Sequence, residues 1–417
     1  MKSTEQFRSH RPKGHESPRS TLIVGLGASG LAAARHLAGR GESVRVIDSR
    51  AEPPALEPLR SEQPEVPVAL GTLDTRWLDG VSRVVLSPGL SVDLPLIVEA
   101  RNRGIEITGE LELFARAAVA PVLAVTGSNG KSTVTSLASA VLEAQGFDAP
   151  AGGNLGPPAL DLLELGRVDV YVLEVSSFQL ETTHSLRPLA AALLNISPDH
   201  IDRHGSLARY AALKASLLEC AERAIVNWDD PLVREVAPRA AETIPFSVVE
   251  PLARGWSVIE QDRERWLAQD LKPLIPSSAL AQPGRIAEAN ALAALALASA
   301  LGGDPGAAAE VLSQFAGLPH RMQPVREVRG VEYVDDSKGT NVGATVAALL
   351  ASAKPTVLIA GGLAKGADFG PLADAANGRL RAAVLLGEAA SELEAALGSR
   401  TRTIIAKSMQ AAVETAA

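Results

Sequence analysis

Short apolar runs alternate with helix-forming segments along the whole chain. The first unit places apolar runs at Thr21–Gly25, Ser43–Ile47 and Val81–Leu86, and the alanine- and leucine-rich segment Leu31–Leu37 follows the first of them. This alternation is typical of buried parallel strands that are joined by helices. The pattern therefore predicts a small Rossmann-like α/β domain over residues 21–117.

A second unit repeats the alternation with longer elements. Apolar runs at Val122–Val125, Val168–Val175 and Ala191–Ile196 predict buried strands, and Ile286–Leu301 predicts a long, alanine-rich helix. We therefore expect a P-loop-type central parallel sheet with helices on both faces, over residues 118–319.

The last part of the chain has shorter apolar runs, at Val331–Val334, Thr356–Ile359 and Ala382–Leu386. They predict a third, Rossmann-like domain over residues 320–417. Residues 1–20 are polar and lack the apolar segment of a signal peptide, so we expect them to form a disordered tail.

Composition narrows the possible classes of function. Of 417 residues, 46% are hydrophobic and 21% charged, and the net charge is -8, which is typical of a folded protein. The excess of acidic residues and the 3% of aromatic residues disfavour nucleic-acid binding. No run reaches the ~20 apolar residues of a membrane span. The single cysteine, Cys220, excludes an intrachain disulfide and favours a cytoplasmic setting.

A glycine-rich turn follows the first predicted strand. Gly25, Gly27 and Gly30 have the spacing G-x-G-x-x-G, and Asp48 ends the next strand, where a ribose-binding acid is often found. Glycine allows the tight turn, and the helix N-terminus offers N–H groups to a phosphate. The motif alone does not separate a nicotinamide dehydrogenase from another nucleotide-binding protein or from a turn without a ligand.

A second glycine-rich loop, TGSNGKST at 126–133, joins a predicted strand to a helix. Main-chain N–H groups in such a loop bind phosphate oxygens, Lys131 can neutralise them, and the Ser132 or Thr133 hydroxyl can bind Mg²⁺. The loop is shorter than the common P-loop, because Val125 stands where its first glycine would be. The predicted nucleotide-binding residues are Gly127, Ser128, Asn129, Gly130, Lys131, Ser132 and Thr133.

Two charged residues interrupt apolar patterns. Glu174 lies in a predicted buried strand, where a carboxylate is costly unless it is paired or binds a metal, although a strand end can also face solvent. Lys214 shares one helical face with Leu207, Tyr210 and Leu217. Either its ammonium reaches solvent, or it is buried with a lowered pKa, and its neutral amine can then add CO₂ to form a carbamate.

The third unit carries a mixture of charged and hydroxyl groups. Arg321, Asp336, Lys338 and Thr340 lie close together in the sequence, and Lys365 follows a glycine pair. Such a group can hold a ribose, a carboxylate and a developing oxyanion, although each residue alone is more often part of a surface loop.

Six segments occur in an order that is typical of one enzyme family. They are TGSNGKST at 126–133, GNLG at 153–156, EVSSFQLE at 174–181, NISPDHIDRH at 195–204, GLPHR at 317–321 and DSKGTNVG at 336–343. Together they closely resemble the Mur ligases, from about Thr21 to the end of the chain. Folylpolyglutamate synthase is similar in the central domain only.

The resemblance implies an ATP-dependent amide ligase that adds D-glutamate to UDP-N-acetylmuramoyl-L-alanine in peptidoglycan precursor synthesis, through an acyl phosphate. Together with the composition, it leads us to expect a cytoplasmic monomer with no nucleic-acid or membrane partner. The first domain then binds a uridine nucleotide rather than NAD, the second binds ATP and two Mg²⁺ ions, and the third closes over the site. The expected contacts of the UDP-substrate are Ala28, Ser29, Asp48, Arg50, Gly89, Asn154, Ser176 and His200.

The resemblance also assigns roles around ATP. Ser132 or Thr133 and Glu174 are expected to bind one Mg²⁺, and His200 and Lys214, as its carbamate, the other. The expected catalytic residues are Lys131, His200 and Lys214. The expected ATP contacts outside the loop are Asn154, Asn290, Arg321 and Asp336, and those of glutamate are Lys338, Thr340 and Lys365.

The chain departs from the family pattern at three places. Ile286 and Ala287 stand where the family usually has a His-Asn pair, which affects one adenine contact, and Leu363 stands where it usually has an acid. The chain ends at Ala417 before the segment that grips glutamate, so we expect an incomplete third domain. These departures leave open a second hypothesis, a catalytically weakened homologue that binds uridine nucleotides.

Overall fold

The computed structural model describes residues 20–238, 242–282, 284–352, 354–364 and 366–417. The predicted disordered tail therefore lies outside the described residues, apart from Ser20, which begins the first strand. The chain divides into two compact units, residues 1–110 and 111–417. The predicted domain boundaries at residues 117 and 319 stay predictions.

The first unit is a five-stranded parallel sheet with strand order β3-β2-β1-β4-β5. Its central strands are buried because they are apolar on both faces, as the run Leu22–Val24 shows. The strands are β1 (Ser20–Val24), β2 (Ser43–Asp48), β3 (Val68–Leu70), β4 (Arg83–Leu86) and β5 (Glu106–Thr108), and the helices are α1 (Ala28–Ala38), α2 (Leu56–Glu62) and α3 (Pro95–Asn102). Helix α4 (Glu110–Ala117) follows.

The second unit begins with a nine-stranded sheet of order β14-β13-β12-β11-β10-β9-β6-β8-β7. The seven strands β6 to β12 are parallel to one another in this sheet, and β12, β13 and β14 form an antiparallel meander. The strands are β6 (Val122–Thr126), β7 (Ala151–Gly153), β8 (Tyr171–Glu174), β9 (Ala190–Leu193), β10 (Arg223–Asn227), β11 (Glu242–Ser247), β12 (Trp256–Gln261), β13 (Glu264–Gln269) and β14 (Lys272–Pro276).

Helices pack on this sheet around one large apolar core. The helix Arg285–Ala300 is rich in alanine, and its small side chains let it lie directly on the strands β9 to β12 and on the helix Lys131–Glu143. The helices are α5 (Lys131–Glu143), α6 (Ala159–Leu162), α7 (Ser177–Leu180), α8 (Ile201–His204), α9 (Leu207–Glu219), α10 (Pro231–Val236), α11 (Arg285–Ala300) and α12 (Ala309–Gln314).

The C-terminal part of the second unit has a hairpin and a three-stranded parallel sheet of order β17-β18-β19. The strands are β15 (Gln323–Val328), β16 (Val331–Asp335), β17 (Thr356–Gly361), β18 (Leu380–Leu386) and β19 (Arg402–Ile405), and the helices are α13 (Val342–Ala351), α14 (Gly370–Ala376), α15 (Ala390–Leu397) and α16 (Met409–Ala416). The mixed α/β class predicted from the sequence is confirmed.

None of the helices in the described ranges is long and apolar enough to cross a membrane.

Candidate active site

A tight loop joins β6 to α5 at the carboxyl edge of the central sheet. We call residues 127–132 the phosphate loop. Its main chain is left-handed at Gly130, where φ is 84°, and a Cβ atom there would lie 2.9 Å from Asn290 Oδ1, so glycine is required beside α11. The loop leads into the N-terminus of α5, whose first N–H groups have no acceptor within the helix.

Asn195, which follows β9, binds the main chain of the phosphate loop. Its Oδ1 accepts from Asn129 N at 2.8 Å, its Nδ2 donates to Asn129 O at 3.0 Å, and its own carbonyl accepts from Ser128 N at 2.9 Å. The N–H groups at the start of α5 are therefore the ones left for a phosphate. The sequence alone does not reveal this role of Asn195, because an amide that bonds to the main chain leaves no recognisable spacing.

Two lysine side chains meet at one carbonyl group of the loop. Gly127 O accepts hydrogen bonds from Lys131 Nζ and from Lys214 Nζ, each at 2.9 Å, and Lys131 Nζ also donates to Ser128 O at 3.1 Å. Lys214 is only 1% exposed, and its Nζ lies 4.5 Å from the centre of the Tyr210 ring. Of the two interpretations of Lys214, the structure therefore favours burial over extension into solvent.

Burial lowers the pKa of both lysines. Burial holds the pKa of Lys214 well below its usual value, and the charge of Lys131 lowers it further, while Asp199 and Glu174 oppose the shift. Burial also lowers the pKa of Lys131, against the opposing effect of Glu174. The surroundings of Lys214 therefore favour its neutral amine, which is the nucleophilic form of a lysine.

Glu174 ends β8 beside the loop and is only 2% exposed, so it does not face solvent. Its Oε1 accepts from Asn154 Nδ2 at 2.6 Å, but its Oε2 is buried and has no hydrogen-bond partner among the described residues. A buried carboxylate oxygen without a partner is costly, so this atom suits a bound cation. The carboxylate, and the Ser132 hydroxyl in the first turn of α5, are hard oxygen donors of the kind that Mg²⁺ prefers.

No group of three or more His, Cys, Asp and Glu side chains that could hold a metal ion occurs within the described ranges. The oxygens of Glu174 and Ser132 therefore supply only part of a coordination shell. Mg²⁺ commonly takes one or two protein ligands and completes its shell with water and substrate phosphates, so the residues present fit that ion.

Arg321 reaches the phosphate loop from the C-terminal part of the unit. Its Nη2 donates to Ser132 Oγ at 2.9 Å. Asp336 Oδ1 accepts from Met322 N at 3.0 Å and so fixes the main chain beside Arg321. Burial raises the pKa of Asp336, and the Arg321 charge opposes this shift. Thr133, the other candidate hydroxyl, is half-buried in the first turn of α5.

A cluster of aromatic rings fixes the turn that carries His200. His200 has a left-handed φ of 52° and is the N-cap residue of α8. The Phe178 ring lies 4.9 Å from the His200 ring and 5.2 Å from the His204 ring, and the Arg203 guanidinium lies 5.1 Å above it. The carboxylate of Asp199 is 3.6 Å from His200 Nε2. His200 is therefore held by packing at the edge of the site.

A cleft lies between this turn and the C-terminal part, lined by Asp199, His200, Ile201, Thr340, Asn341 and Ala364. Thr340, an expected glutamate contact, thus shares one cleft with His200. Lys338, another expected contact, donates its main-chain N–H to His320 O at 3.1 Å. Lys365 lies outside the described residues.

Two other expected contacts and one departure have defined positions. Ser176 caps α7, and its N–H and its hydroxyl both bond to Gln179 Oε1 at 2.9 Å. Asn290 lies against Gly130 of the phosphate loop. In the first turn of α11, Ile286 is partly exposed and Ala287 follows it, so neither position offers a polar side-chain atom to a nucleobase.

In the first unit, Asp48 organises the glycine-rich turn. Its two carboxylate oxygens accept from Leu26 N, from Arg50 N and from two Arg50 guanidinium nitrogens, all at 2.7–2.9 Å. The Arg50 hydrogen bonds, more than any other contact, hold the pKa of Asp48 at about 2. Both carboxylate oxygens of Asp48 are thus hydrogen-bonded within the protein, whereas the Arg50 side chain is 52% exposed. Ala28 and Ser29 lie in the first turn of α1, and exposed Gly89 follows β4.

Three family models match consecutive parts of the chain. The Mur ligase MurD-like N-terminal domain matches residues 19–109, the Mur ligase middle domain residues 125–298, and the Mur ligase glutamate ligase domain residues 320–417. The resemblance identified from sequence motifs is therefore confirmed along almost the whole chain.

Known proteins agree with these matches. The UDP-N-acetylmuramoylalanine–D-glutamate ligase of Marinobacter nauticus is 45% identical over 403 residues, which are 96% of this chain and 90% of the relative. The enzyme of the same name from Nitrosococcus oceani is 45% identical over 396 residues, 94% of this chain and 87% of the relative.

Solved structures show the same fold at lower identity. A pseudomurein peptide ligase type C from Methanothermus fervidus aligns with a TM-score of 0.60 and 21% identity, covering 94% of this chain and 89% of that one. MurF from Acinetobacter baumannii aligns with a TM-score of 0.59 and 18% identity, covering 96% and 84%. The chain therefore belongs to the Mur ligase family.

Proposed function

We propose that this protein is an ATP-dependent ligase that joins D-glutamate to UDP-N-acetylmuramoyl-L-alanine, as the names of its 45%-identical relatives describe for those enzymes. The observation that carries the proposal is the arrangement at the phosphate loop. Lys131 and Arg321 place positive charge around the N-terminus of α5, and the buried amine of Lys214 lies at the same loop, beside the unpartnered oxygen of Glu174.

This arrangement suits transfer of a phosphoryl group to a carboxylate. The substrate carboxylate attacks the γ-phosphorus of ATP, which gives an acyl phosphate and ADP. Both reactants are anions, so the cations that lie around the loop lower the cost of bringing them together. Lys131 is bonded to two loop carbonyls, Gly127 O and Ser128 O, and it can exchange these acceptors for phosphate oxygens without leaving the loop.

Amide formation follows from the same geometry. The amine of glutamate attacks the acyl carbon of the acyl phosphate, a tetrahedral intermediate forms, and inorganic phosphate leaves as the amine loses a proton. Thr340 lines the cleft that also contains His200, and together with Lys338 and Lys365 it is proposed to orient the glutamate. Arg321 and Asp336, next to the loop, are proposed to bind the phosphates and the ribose of ATP.

Glu174 and the hydroxyl of Ser132 or Thr133 are proposed to hold one Mg²⁺, and His200 with Lys214 a second. When bound, the ions neutralise charge on the phosphate oxygens. The buried, unpartnered Oε2 of Glu174 supports the first site. Asn154, which donates to the other oxygen of Glu174 at 2.6 Å, orients that carboxylate.

Lys214 is proposed to act as a carbamate. Its Nζ is buried and bonded to a neutral carbonyl rather than to a carboxylate. The nitrogen lone pair of the neutral amine adds to the carbon of CO₂, and the nitrogen gives up one proton, so the side chain becomes an anion. That anion is a suitable oxygen ligand for a divalent ion.

The first unit is proposed to bind the UDP part of the substrate through Arg50, the first turn of α1 and the segment at Gly89. The exposed guanidinium of Arg50, fixed by Asp48, supports this assignment. We further propose that the enzyme works as a monomer in the cytoplasm, where UDP-linked precursors and ATP are both present.

A phosphate-release assay tests the proposal. Release of inorganic phosphate should need UDP-N-acetylmuramoyl-L-alanine, D-glutamate, ATP and Mg²⁺ together, and omission of any one should return the rate to background. Release that does not depend on D-glutamate contradicts the proposal. Mass spectrometry of the product should show one added glutamate residue.

The second hypothesis, a weakened uridine-nucleotide binder, rests on the apolar pair Ile286 and Ala287 at the start of α11. It requires calorimetric binding of the UDP-substrate by the full chain with no phosphate release at saturating ATP. A dehydrogenase requires an NAD-dependent absorbance change, which our proposal does not predict.

A further inference from the structure

Asn341, at the start of α13, makes a reciprocal amide pair with Asn129 of the phosphate loop. Asn129 Nδ2 donates to Asn341 Oδ1 at 3.1 Å, and Asn341 Nδ2 donates to Asn129 Oδ1 at 3.0 Å. The second proton of Asn341 Nδ2 goes to Asp199 Oδ2 at 3.1 Å. Two residues that are 212 positions apart in the sequence are thus joined side chain to side chain.

Every hydrogen-bonding position of the Asn341 side chain is used. Its Oδ1 also accepts from Ala344 N at 2.9 Å and so caps α13. An amide has two donor protons and two acceptor lone pairs, and here they go to three partners in two parts of the unit. Aspartate lacks the donors, and serine is too short to reach both Asn129 and Asp199, so asparagine is the residue type that completes this arrangement.

The side chain of Asn129 is available for this contact because Asn195 already binds its main-chain N–H and carbonyl. The neighbouring surfaces also approach closely. A Cβ atom on Gly343, in the first turn of α13, would lie 2.5 Å from Ser197 Oγ. The first turn of α13 therefore lies directly against the strand-end segment that supports the phosphate loop.

We propose that Asn341 is a positioning residue that couples the phosphate loop to the preceding segment 338–340, which carries the proposed glutamate contacts. The inference rests on the proposed function for the identity of the two ligands. A nucleotide that moves Asn129 then moves Lys338 and Thr340 with it, so occupation of one site changes affinity at the other. By thermodynamic linkage the effect is reciprocal.

Asn341→Asp is the informative variant. Its carboxylate still accepts from Ala344 N and preserves the cap, but it loses both donors and faces the oxygens of Asn129 and Asp199. We expect D-glutamate to strengthen binding of a fluorescent, non-hydrolysable ATP analogue to the wild-type chain by about fivefold or more. In Asn341→Asp this ratio should fall to one, and the KM for D-glutamate should rise while that for the UDP-substrate stays constant.

A double variant provides the rescue. In Asn341→Asp combined with Asp199→Asn, donor and acceptor are exchanged and the N–H···O bond between the two positions is restored, so part of the coupling should return. Ser408→Ala removes the cap of α16 (Ser408 Oγ accepts from Ala411 N at 3.2 Å), lowers stability, and should leave the coupling ratio unchanged.

The ratio of affinities for the ATP analogue with and without D-glutamate tests the role of Asn341 separately from the proposed function, because it needs no turnover. A wild-type chain without phosphate release contradicts the proposed function, but its analogue affinity with and without D-glutamate still tests Asn341. The inference is overturned if the wild-type ratio is one, or if the ratio in Asn341→Asp equals that of the wild type while circular dichroism shows both chains folded.

Discussion

At the scale of single residues, burial decides which of the interpretations left open by the sequence holds. Lys214 and Glu174 interrupt apolar patterns in ways that allow either a solvent-facing or a buried side chain. Both are almost fully buried, beside the same loop. The pattern shows where such residues occur, but only the packed structure shows that both are buried beside the phosphate loop.

Replacement of Lys214 tests its role as a carbamate. Lys214→Ala removes the proposed anionic ligand, and we expect kcat to fall about 100-fold or more, because loss even of a group that only supports a metal ligand costs roughly 10–100-fold. A small carboxylic acid such as acetate should enter the vacated space and restore part of the activity. Lys272→Ala, at an exposed lysine of β14, is the matched control. Activity like that of the wild type in Lys214→Ala refutes the ligand role.

Asp48 gives a prediction about pH. Its pKa is lowered from 3.8 to about 2 in the folded chain, so its carboxylate stabilises the fold above pH 4 and this contribution is lost as pH falls from about 4 to 2. At pH 7, Asp48→Asn should therefore lower the free energy of unfolding by about 1–2 kcal/mol, after allowance for the exposed Arg50 partner. Urea unfolding of the variant and the wild type measures this difference. The difference between variant and wild type should narrow as the pH approaches 2.

The control for this measurement is Asp93→Asn, which changes an exposed carboxylate of the same unit. It should unfold like the wild type at pH 7. If Asp48→Asn and Asp93→Asn have equal stability at pH 7, Asp48 does not organise the turn as described.

At the scale of elements, the sequence predicts best where one pattern alone determines the structure. The alanine-rich run predicted as a helix at 286–301 forms α11 at Arg285–Ala300. The antiparallel meander β12 to β14 is missed, because its strands mix charged and apolar residues without strict alternation, as in Glu264–Gln269. The partners of the phosphate loop, Asn195 and Asn341, are also missed as contacts, since they depend on which strand and helix ends meet in space.

Gly130 and Gly146 have similar φ angles, so substitutions at these two positions distinguish the effect of backbone strain from that of a steric clash. Gly130 and Gly146 have φ of 84° and 87° at opposite ends of α5. A Cβ atom on Gly130 would lie 2.9 Å from Asn290 Oδ1, but one on Gly146 would have nothing within 4 Å. Alanine at either position should cost about 1–2 kcal/mol of stability, because L-residues disfavour this conformation.

Only Gly130→Ala should also weaken binding of the ATP analogue, by at least tenfold, because the phosphate loop must shift away from α11. Equilibrium binding of the fluorescent analogue and urea unfolding of both variants check this. If Gly130→Ala and Gly146→Ala bind the analogue equally well, the close approach of loop and helix does not matter for nucleotide affinity.

At the scale of the whole molecule, two glycine-rich turns are proposed to bind two different nucleotides. The turn in the first unit has an exposed arginine but no lysine of the phosphate-loop type, whereas the loop in the second unit is surrounded by Lys131, Lys214 and Arg321. The sequence showed both turns, but the first motif alone does not separate NAD from a uridine nucleotide. The proposal of a uridine nucleotide rests on the order of six motifs along the chain and on the family matches.

This division predicts separable affinities in the full chain. Arg50→Ala removes the guanidinium that Asp48 holds at the turn of the first unit, and loss of one charge-assisted contact with a diphosphate should raise the KM for UDP-N-acetylmuramoyl-L-alanine about tenfold. The dissociation constant of the ATP analogue should stay within twofold of the wild-type value, because its proposed site lies in the other unit. Arg60→Ala, which removes an exposed arginine that pairs with Glu57 in α2, should change neither affinity. If Arg50→Ala weakens binding of the ATP analogue as much as binding of the UDP-substrate, the two turns do not serve separate nucleotides.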